Sequence, residues 1–491
     1  MTRVLPTERD HFYVNGAWAN PSSADRIIVN SPATQERFGH VPDGKPADID
    51  AAVAAARNAF DNGPWARMSV DERAGFLAGV IAYLREVGPS IGKFLSQEMG
   101  GPMRMLQNGK DGSAFLIESM LASAKAIGMV QLRTGAMGPA LVRLEPVGVV
   151  GAITPWNGPL HLLMMKFAPA MVAGCTMVAK PSPEAPLDAY ILADACHAAG
   201  LPAGVFNLVP GGREAGEYLV SHPGVDKIAF TGSTAAGRRI GEICGRDLKR
   251  VSLELGGKSA AIALADASPE KLAAYAIPMG LAFNNGQACA ALTRIVVPRA
   301  RQAEFAEALE AAVAALRVGD PLDPENHIGP VIAERQRVRI EELIASGRDE
   351  GARLLRGGGR PKGLDRGWFV EPTLFADVNN SMRIAREEVF GPVGVIIPYD
   401  GGADEAIAIA NDTPYGLAGA VFTEDLAQGY EVAKRVRTGT FGVNNFVIDP
   451  LLPFGGFKAS GIGRENSHEG LRSYTEAKTV TGVPAELAEL R

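Results

Sequence analysis

The sequence predicts an α/β protein whose strands run mainly parallel. Two observations carry that expectation. From about residue 141, short apolar and β-branched runs alternate with helical segments, the pattern of strand–helix–strand units that cover a parallel sheet on both faces. Glycines sit where several of those runs end, as a tight passage between strand and helix requires. The 491 residues leave room for about three structural units at roughly 150 residues each. A chain of this size buries a core without disulfides or a structural metal.

Taken in order, the residues before 120 read largely as helix after a short extended start at 12–16. Segment 48–60 is alanine-rich with apolar residues at helical spacing. Segments 71–87 and 91–99 repeat that pattern, with Gly63, Pro64 and Gly88 as punctuation. Runs 147–153, 204–209, 226–230, 251–255 and 260–264 read as strands, and 185–200 and 235–244 as helices. Stretch 171–178 is apolar and holds Cys175. A soft boundary falls at Ser259. Beyond it, 302–316 and 334–350 read as helices, 393–398, 419–422 and 439–443 as strands, and 472–483 as a terminal strand. No internal repeat or low-complexity linker interrupts the pattern.

Charged residues make up 21% and hydrophobic ones 46%, ordinary values for a globular protein. The net charge of −6 and the lack of any Lys/Arg-rich run argue against nucleic-acid or membrane-surface partners. The N-terminus is charged and lacks a signal-peptide core. No window approaches the ~18 apolar residues of a membrane helix, so a cytoplasmic protein is expected. Four cysteines lack the paired spacing of a zinc site or disulfide framework, and no metal is expected. Cys175, Cys196 and Cys244 read as small buried hydrophobes.

Four segments carry groups suited to chemistry. In FTGSTAAG (230–237) a Gly-Ser turn leads from strand to helix, and amides at a helix N-terminus favour a pyrophosphate. Arg238 and Arg239 depart from the P-loop pattern, and by itself a plain turn is an equal reading. In VSLELGGK (251–258) Glu254 ends an apolar strand. A buried carboxyl there is a general base or half of a salt bridge. In FNNGQACAALTR (283–294) Cys289 occupies a turn of small residues. A nucleophilic thiolate needs such access, together with amides and a base; a buried structural cysteine is the other reading. In ITPWNGP (153–159) Asn157 follows a strand in a stiff turn, where its amide suits a developing oxyanion or simply forms the turn.

Together, Asn157, Lys180, Gly232, Ser233, Glu254, Cys289, the E-V-F of 388–390 and the P-F-G-G of 453–456 resemble the aldehyde dehydrogenase superfamily. The resemblance runs from about 14 to 480. It implies a Rossmann-like cofactor domain (1–127 and 147–256), an α/β catalytic domain (257–459), and a small β oligomerisation flap with a C-terminal segment (128–146 and 460–491). The C-terminal strand would complete a sheet in a neighbouring copy of a homodimer or homotetramer.

By the same resemblance Cys289 is the nucleophile, Asn157 the oxyanion partner, Glu254 the base for hydrolysis, and Lys166 a lysine of the proton network. Cofactor residues carried over are Ile153, Thr154, Pro155, Trp156, Lys180, Ser182, Gly212, Gly216, Phe230, Gly232, Ser233, Gly237, Leu255, Gly256, Glu388 and Phe390. The implied cofactor is NAD+. Many NAD+-preferring relatives place a ribose-gripping glutamate three residues after the lysine. Pro183 stands there and Glu184 follows, which leaves NADP+ admissible. Glu254 favours release of a free acid over transfer to coenzyme A. Met165, where an arginine marks succinate-semialdehyde enzymes, disfavours an ω-carboxylate. Gly158, Leu162, Met165, Ala288, Ala290 and Phe454 would line a roomy apolar pocket for an aliphatic, terpenoid or aromatic aldehyde. The competing readings are a non-catalytic NAD(P)-binding scaffold and a coenzyme A-acylating enzyme. The presence of Cys289 and Glu254 counts against the first, and Glu254 counts against the second.

Overall fold

The computed structural model describes residues 4–106 and 112–482. The start of the chain and position 483, on which the N-terminal reading and the end of the predicted terminal strand partly rest, lie outside them.

Eight strands form the first sheet, in the order Gly461–Ile462, Arg250–Glu254, Lys227–Thr231, Val149–Ile153, Thr176–Lys180, Phe206–Leu208, Phe12–Val14 and Ala17–Ala19. The middle five are parallel. After Val149–Ile153 the chain builds outward through Thr176–Lys180 to Phe206–Leu208. It then returns to the other side of Val149–Ile153 with Lys227–Thr231 and Arg250–Glu254. Where strand order reverses, the connecting loops part and leave a crevice at the carboxyl ends of the strands.

The second sheet runs Arg353–Arg356, Thr373–Ala376, Val393–Tyr399, Arg294–Pro298, Ala260–Ala263, Ala418–Phe422 and Thr440–Val443. All its pairings are parallel except that of the first two strands. Helices cover both sheets, as the alternation in sequence requires.

Some expectations change and one unassigned stretch resolves. The region before 120, expected to be largely helix, also holds a two-stranded antiparallel sheet of Arg26–Asn30 and Arg37–Pro42. Segments 71–87 and 91–99 belong to one helix, Val70–Met99, with Pro89 inside it. Leu77, Val80, Leu84, Val87, Ile91 and Phe94 are all buried. The apolar stripe therefore passes the Gly-Pro step without changing phase, and its burial outweighs the hydrogen bond that proline removes. Stretch 171–178 divides into the end of the helix Pro159–Ala173 and most of the strand Thr176–Lys180, with Gly174 at φ +96 between them. Both elements are buried nearly all round, which erases the periodicity that tells helix from strand.

The terminal strand is Thr475–Thr481. Within the chain it pairs antiparallel with Gly138–Pro146, itself paired to Val130–Gly135. The flap sheet thus closes within one copy, and the far side of Thr475–Thr481 is unpaired among the described residues. Part of the 460–491 segment also joins the first sheet, because Gly461 lies against the strand Arg250–Glu254. A Cβ on Gly461 would stand 1.9 Å from the Leu253 carbonyl oxygen, and its φ is +148, so this approach needs glycine.

Candidate active site

At the reversal of strand order lies a cleft of about 470 Å³. The loop after Val149–Ile153 contributes Pro155, Trp156 and Asn157. The turn after Lys227–Thr231 contributes Gly232 and Ser233, and the end of Arg250–Glu254 contributes Glu254, Leu255 and Gly256. Cys289, Glu388 and Phe390 close it from the second sheet's side. Residues far apart in sequence therefore converge as expected. Thr231, Thr234, Gln336, Arg339 and Tyr415 also line the cleft and went unrecognised in the sequence.

The loop before Cys289 is fixed by unusual backbone. Asn284, Asn285 and Gly286 have φ of 50, 61 and 72. Asn tolerates this region better than most residues, and Gly freely. The Asn285 amide donates to the carbonyls of Gly100 (2.9 Å) and Pro330 (2.8 Å), and its Oδ1 accepts from Gly329 N at 2.7 Å. Gln287 Oε1 accepts from Ile332 N at 3.0 Å. Asn157 Nδ2 donates to the Gln287 carbonyl at 3.0 Å, which holds the amide beside the turn carrying the thiol.

Cys289 is half-buried, whereas Cys175, Cys196 and Cys244 are fully buried. Burial, then the Glu388 and Glu254 carboxyls, push its thiol up to about 12; the backbone amides of Cys289 and Ala290 act in the opposite sense. Glu254 is 3% exposed, and neither of its carboxyl oxygens has a hydrogen-bond partner among the described residues. Burial and the neighbouring Glu465 push this carboxyl well above the usual range, against the pull of Lys166 and Arg464. Lys166 Nζ donates to Glu465 Oε1 at 2.5 Å and Thr231 Oγ1 at 2.6 Å. Glu465 is the main residue the sequence reading missed. Its one local signal is a carboxylate in the glycine-containing stretch GIGREN, 461–466.

Ser233 caps the helix Thr234–Arg246, its hydroxyl accepting from Ala236 N at 3.3 Å. The first amides of that helix face the cleft side of the turn, which suits an anion. Glu388 Oε1 accepts from Gly257 N at 3.0 Å, and burial raises its carboxyl to about 7. A Cβ on Gly256 would stand 2.4 Å from Glu388 Oε2, so glycine gives that side chain its place. Phe390 has φ +58 and meets Trp156 edge-on at 5.2 Å.

The other expected cofactor residues, Ile153, Thr154, Lys180, Ser182, Gly212, Gly216, Phe230 and Gly237, stand beside the cleft and do not line it. Lys180 is buried. Its Nζ donates to the carbonyls of Pro181 (3.0 Å) and Gly211 (2.8 Å), and burial lowers it to about 8. A Cβ on Gly216 would lie 3.2 Å from Lys180 Cε. Glu184 accepts from Ser182 Oγ and pairs with Arg335. Among the expected pocket residues, Met165, Ala290 and Phe454 are buried in one apolar cluster, against which Leu162 and Cys289 pack. Gly158 and Ala288 are half-buried. None of the six lines the 470 Å³ cleft.

With this geometry in place, comparison with known proteins is decisive. The sequence profile of the aldehyde dehydrogenase family matches residues 18–480. The chain belongs to the aldehyde dehydrogenase family. Among its relatives, geranial dehydrogenase of Castellaniella defragrans is 46% identical over 480 residues, covering 97% of this chain and 99% of the relative. The 3-succinoylsemialdehyde-pyridine dehydrogenase of a Pseudomonas species is 42% identical over 96% of this chain and 98% of its own. A Mycobacterium tuberculosis aldehyde dehydrogenase crystallised with NAD+ superposes with a TM-score of 0.95 at 48% identity, covering 97% of this chain and 99% of that one. A variant of Pseudomonas syringae aldehyde dehydrogenase C, crystallised with NAD+ and octanal, gives 0.92 at 40% identity, covering 99% of each chain. The protein is thus an NAD(P)+-dependent enzyme acting on aldehydes. No helix among the described residues is long and apolar enough to cross a membrane.

Proposed function

We propose that the enzyme oxidises an apolar aliphatic, terpenoid or aromatic aldehyde to the free carboxylic acid, with NAD+ as the preferred cofactor. The observation that carries this reading is the convergence of Cys289, Glu254 and Asn157 on one cleft at the reversal of strand order.

The cleft's chemistry fits a dinucleotide. A helix N-terminus capped by Ser233 offers amides to a pyrophosphate, the Glu388 carboxyl that lines the cleft suits ribose hydroxyls, and the buried Lys180 ammonium would reach a dinucleotide extending beyond the cleft. When bound, NAD+ supplies the hydride acceptor. The chain's residues do the rest. Cys289 Sγ bonds to the aldehyde carbon as its proton passes to Glu254. The Asn157 amide and the Cys289 backbone N–H stabilise the oxygen that gains charge. Loss of hydride leaves a thioester on Cys289. Glu254, deprotonated again, takes a proton from water, whose oxygen attacks the thioester carbon and releases the acid. Lys166 and Glu465 carry the proton away from Glu254.

The substrate class rests on the apolar cluster against which Cys289 packs, and on exposed large apolar residues: Phe283 shortly before Cys289, and Val447, Ile448, Leu451 and Leu452 shortly before Phe454 of that cluster. The relatives named for geranial and crystallised with octanal support it. Cofactor and pocket roles carry over as assigned from the sequence, with the three-part domain division, and self-association into a homodimer or homotetramer belongs to the same reading. The test is reduced-cofactor absorbance with a panel of aldehydes and each cofactor. Turnover of C6–C10 and terpenoid aldehydes by wild type, with none by Cys289→Ala, is the expected result. Turnover by Cys289→Ala, or a requirement for coenzyme A, would overturn it.

A further inference from the structure

One buried cation takes no part in the chemistry set out above. Lys227 begins the strand Lys227–Thr231 and is 1% exposed. Its Nζ donates to Ser252 Oγ at 2.7 Å on the adjacent strand and lies 4.8 Å from the centre of the Tyr474 ring. Neither group is an anion, and burying an ammonium without an ion-pair partner is costly. Burial accordingly lowers Lys227 to about 8. An apolar side chain would fill the same space without that cost.

Strand geometry points to a reason. Side chains two apart on a strand share a face. Lys227, Ala229 and Thr231 lie on one face of the sheet, and the register sets Ala229 beside Ser252 and Thr231 beside Glu254. On that face Lys166 reaches Thr231 and Glu465. Four buried charged groups therefore gather along one side of the sheet: Glu254, Glu465, Lys166 and Lys227. Glu465 acts electrostatically on both Glu254 and Lys227. Lys227 also faces Lys166, Cys175 and Cys244, and Glu254 faces Lys166 and Arg464. Among these four the charges cancel when all are ionised, and Arg464 adds a cation beside Glu254; removing Lys227 lowers the positive charge around the two carboxyls by one.

We propose that Lys227 is a positioning residue for thioester hydrolysis: its charge offsets that of Glu465 and so favours the ionised Glu254 that serves as base near neutral pH. The inference rests on the reading of Glu254 as that base. Lys227 itself touches neither substrate nor cofactor.

The test measures the steady-state and burst phases of NAD+ reduction with octanal against pH in the full-length enzyme. Wild type is compared with Lys227→Met, Ser252→Ala and Glu254→Gln. Lys227→Met keeps the length and removes the charge. Removing a nearby cation favours protonated Glu254, so the acid limb of the steady-state rate should move up by roughly half a pH unit or more, with the burst amplitude kept. Ser252→Ala, which strips the ammonium of its acceptor, should shift the limb the same way by less. An acid limb that superimposes on wild type in folded Lys227→Met, whatever its melting temperature, would make the residue structural and overturn the proposal. If Lys227→Met does not fold, an unshifted limb in Ser252→Ala has the same force. The two readings fail separately: Glu254→Gln turning over like wild type sinks the base, whereas a stalled Glu254→Gln beside an unshifted Lys227→Met sinks only the role of Lys227.

Discussion

Cys289 and Glu254 are held where neither ionises readily. Burial and carboxyl neighbours raise the thiol to about 12, and burial with Glu465 raises Glu254 well above the usual carboxylate range. A raised thiol is protonated, and so unreactive, below its pKa. Iodoacetamide should therefore label Cys289 slowly at pH 7 in the cofactor-free enzyme, with a rate that climbs roughly tenfold per pH unit beyond 9. Peptide mass spectrometry across pH checks this, and fast, pH-independent labelling at pH 7 would contradict it. Asn157→Ala should lower kcat by about 10²–10³-fold, the usual cost of losing one oxyanion donor, with cofactor affinity unchanged by titration calorimetry. Cys289, Glu254 and Asn157 stood out in the sequence only together: each segment alone allowed a bland reading as a structural cysteine, a salt bridge or a turn, and the combined order of motifs singled them out. Glu465 and Lys227 did not stand out. Lys166 meets Glu465 across 299 positions, and nothing near either residue in sequence announces the pairing.

Among the elements, the turn before Cys289 carries most of the site's precision. Gly286 lies at φ +72, and a Cβ there would stand 2.2 Å from backbone atoms of Gly391. Gly286→Ala should displace the turn, lowering both melting temperature and turnover. Gly245, exposed near the end of the helix Thr234–Arg246 with nothing within 4 Å of its Cβ position, is the control. Gly245→Ala should be neutral or stabilise by about 0.5–1 kcal/mol, read by thermal unfolding. Loss of activity in both variants, or in neither, would refute the assignment. Most strands from 149 to 263 were readable as short apolar runs between turn residues, as with Lys227–Thr231 before Gly232; Thr176–Lys180 was not, because it follows a buried helix without a change in apolar texture. The helix Val70–Met99 was split at Gly88 because punctuation was weighed above the unbroken stripe from Leu77 to Phe94.

At the scale of the whole molecule, Cys289 lies in a cleft lined by loops of two mainly parallel sheets, and a three-stranded flap pairs within one copy with both outer edges unpaired among the described residues, one of them the strand Thr475–Thr481. That edge, Thr475–Thr481, is exposed along nearly its whole length. An unpaired edge strand is a template for another chain. Val480→Pro should move the sedimentation coefficient toward that of a single chain while leaving the far-UV spectrum intact; an unchanged coefficient would place the contact elsewhere. The α/β class was legible from periodicity. The self-closure of the flap was not, since strand pairing over more than 300 positions leaves no local pattern.

The two-stage use of Cys289 is tested most directly by rapid mixing of Glu254→Gln with NAD+ and octanal, followed by intact-protein mass spectrometry. The expected result is one equivalent of reduced cofactor per active site, formed more slowly than the wild-type burst because the thiol has lost its proton acceptor, and followed by near-arrest. An acyl group should then be found on Cys289 and on none of the other three cysteines. Reduction without an acyl adduct, or sustained turnover at the wild-type rate, would contradict the covalent route and the role of Glu254 in ending it.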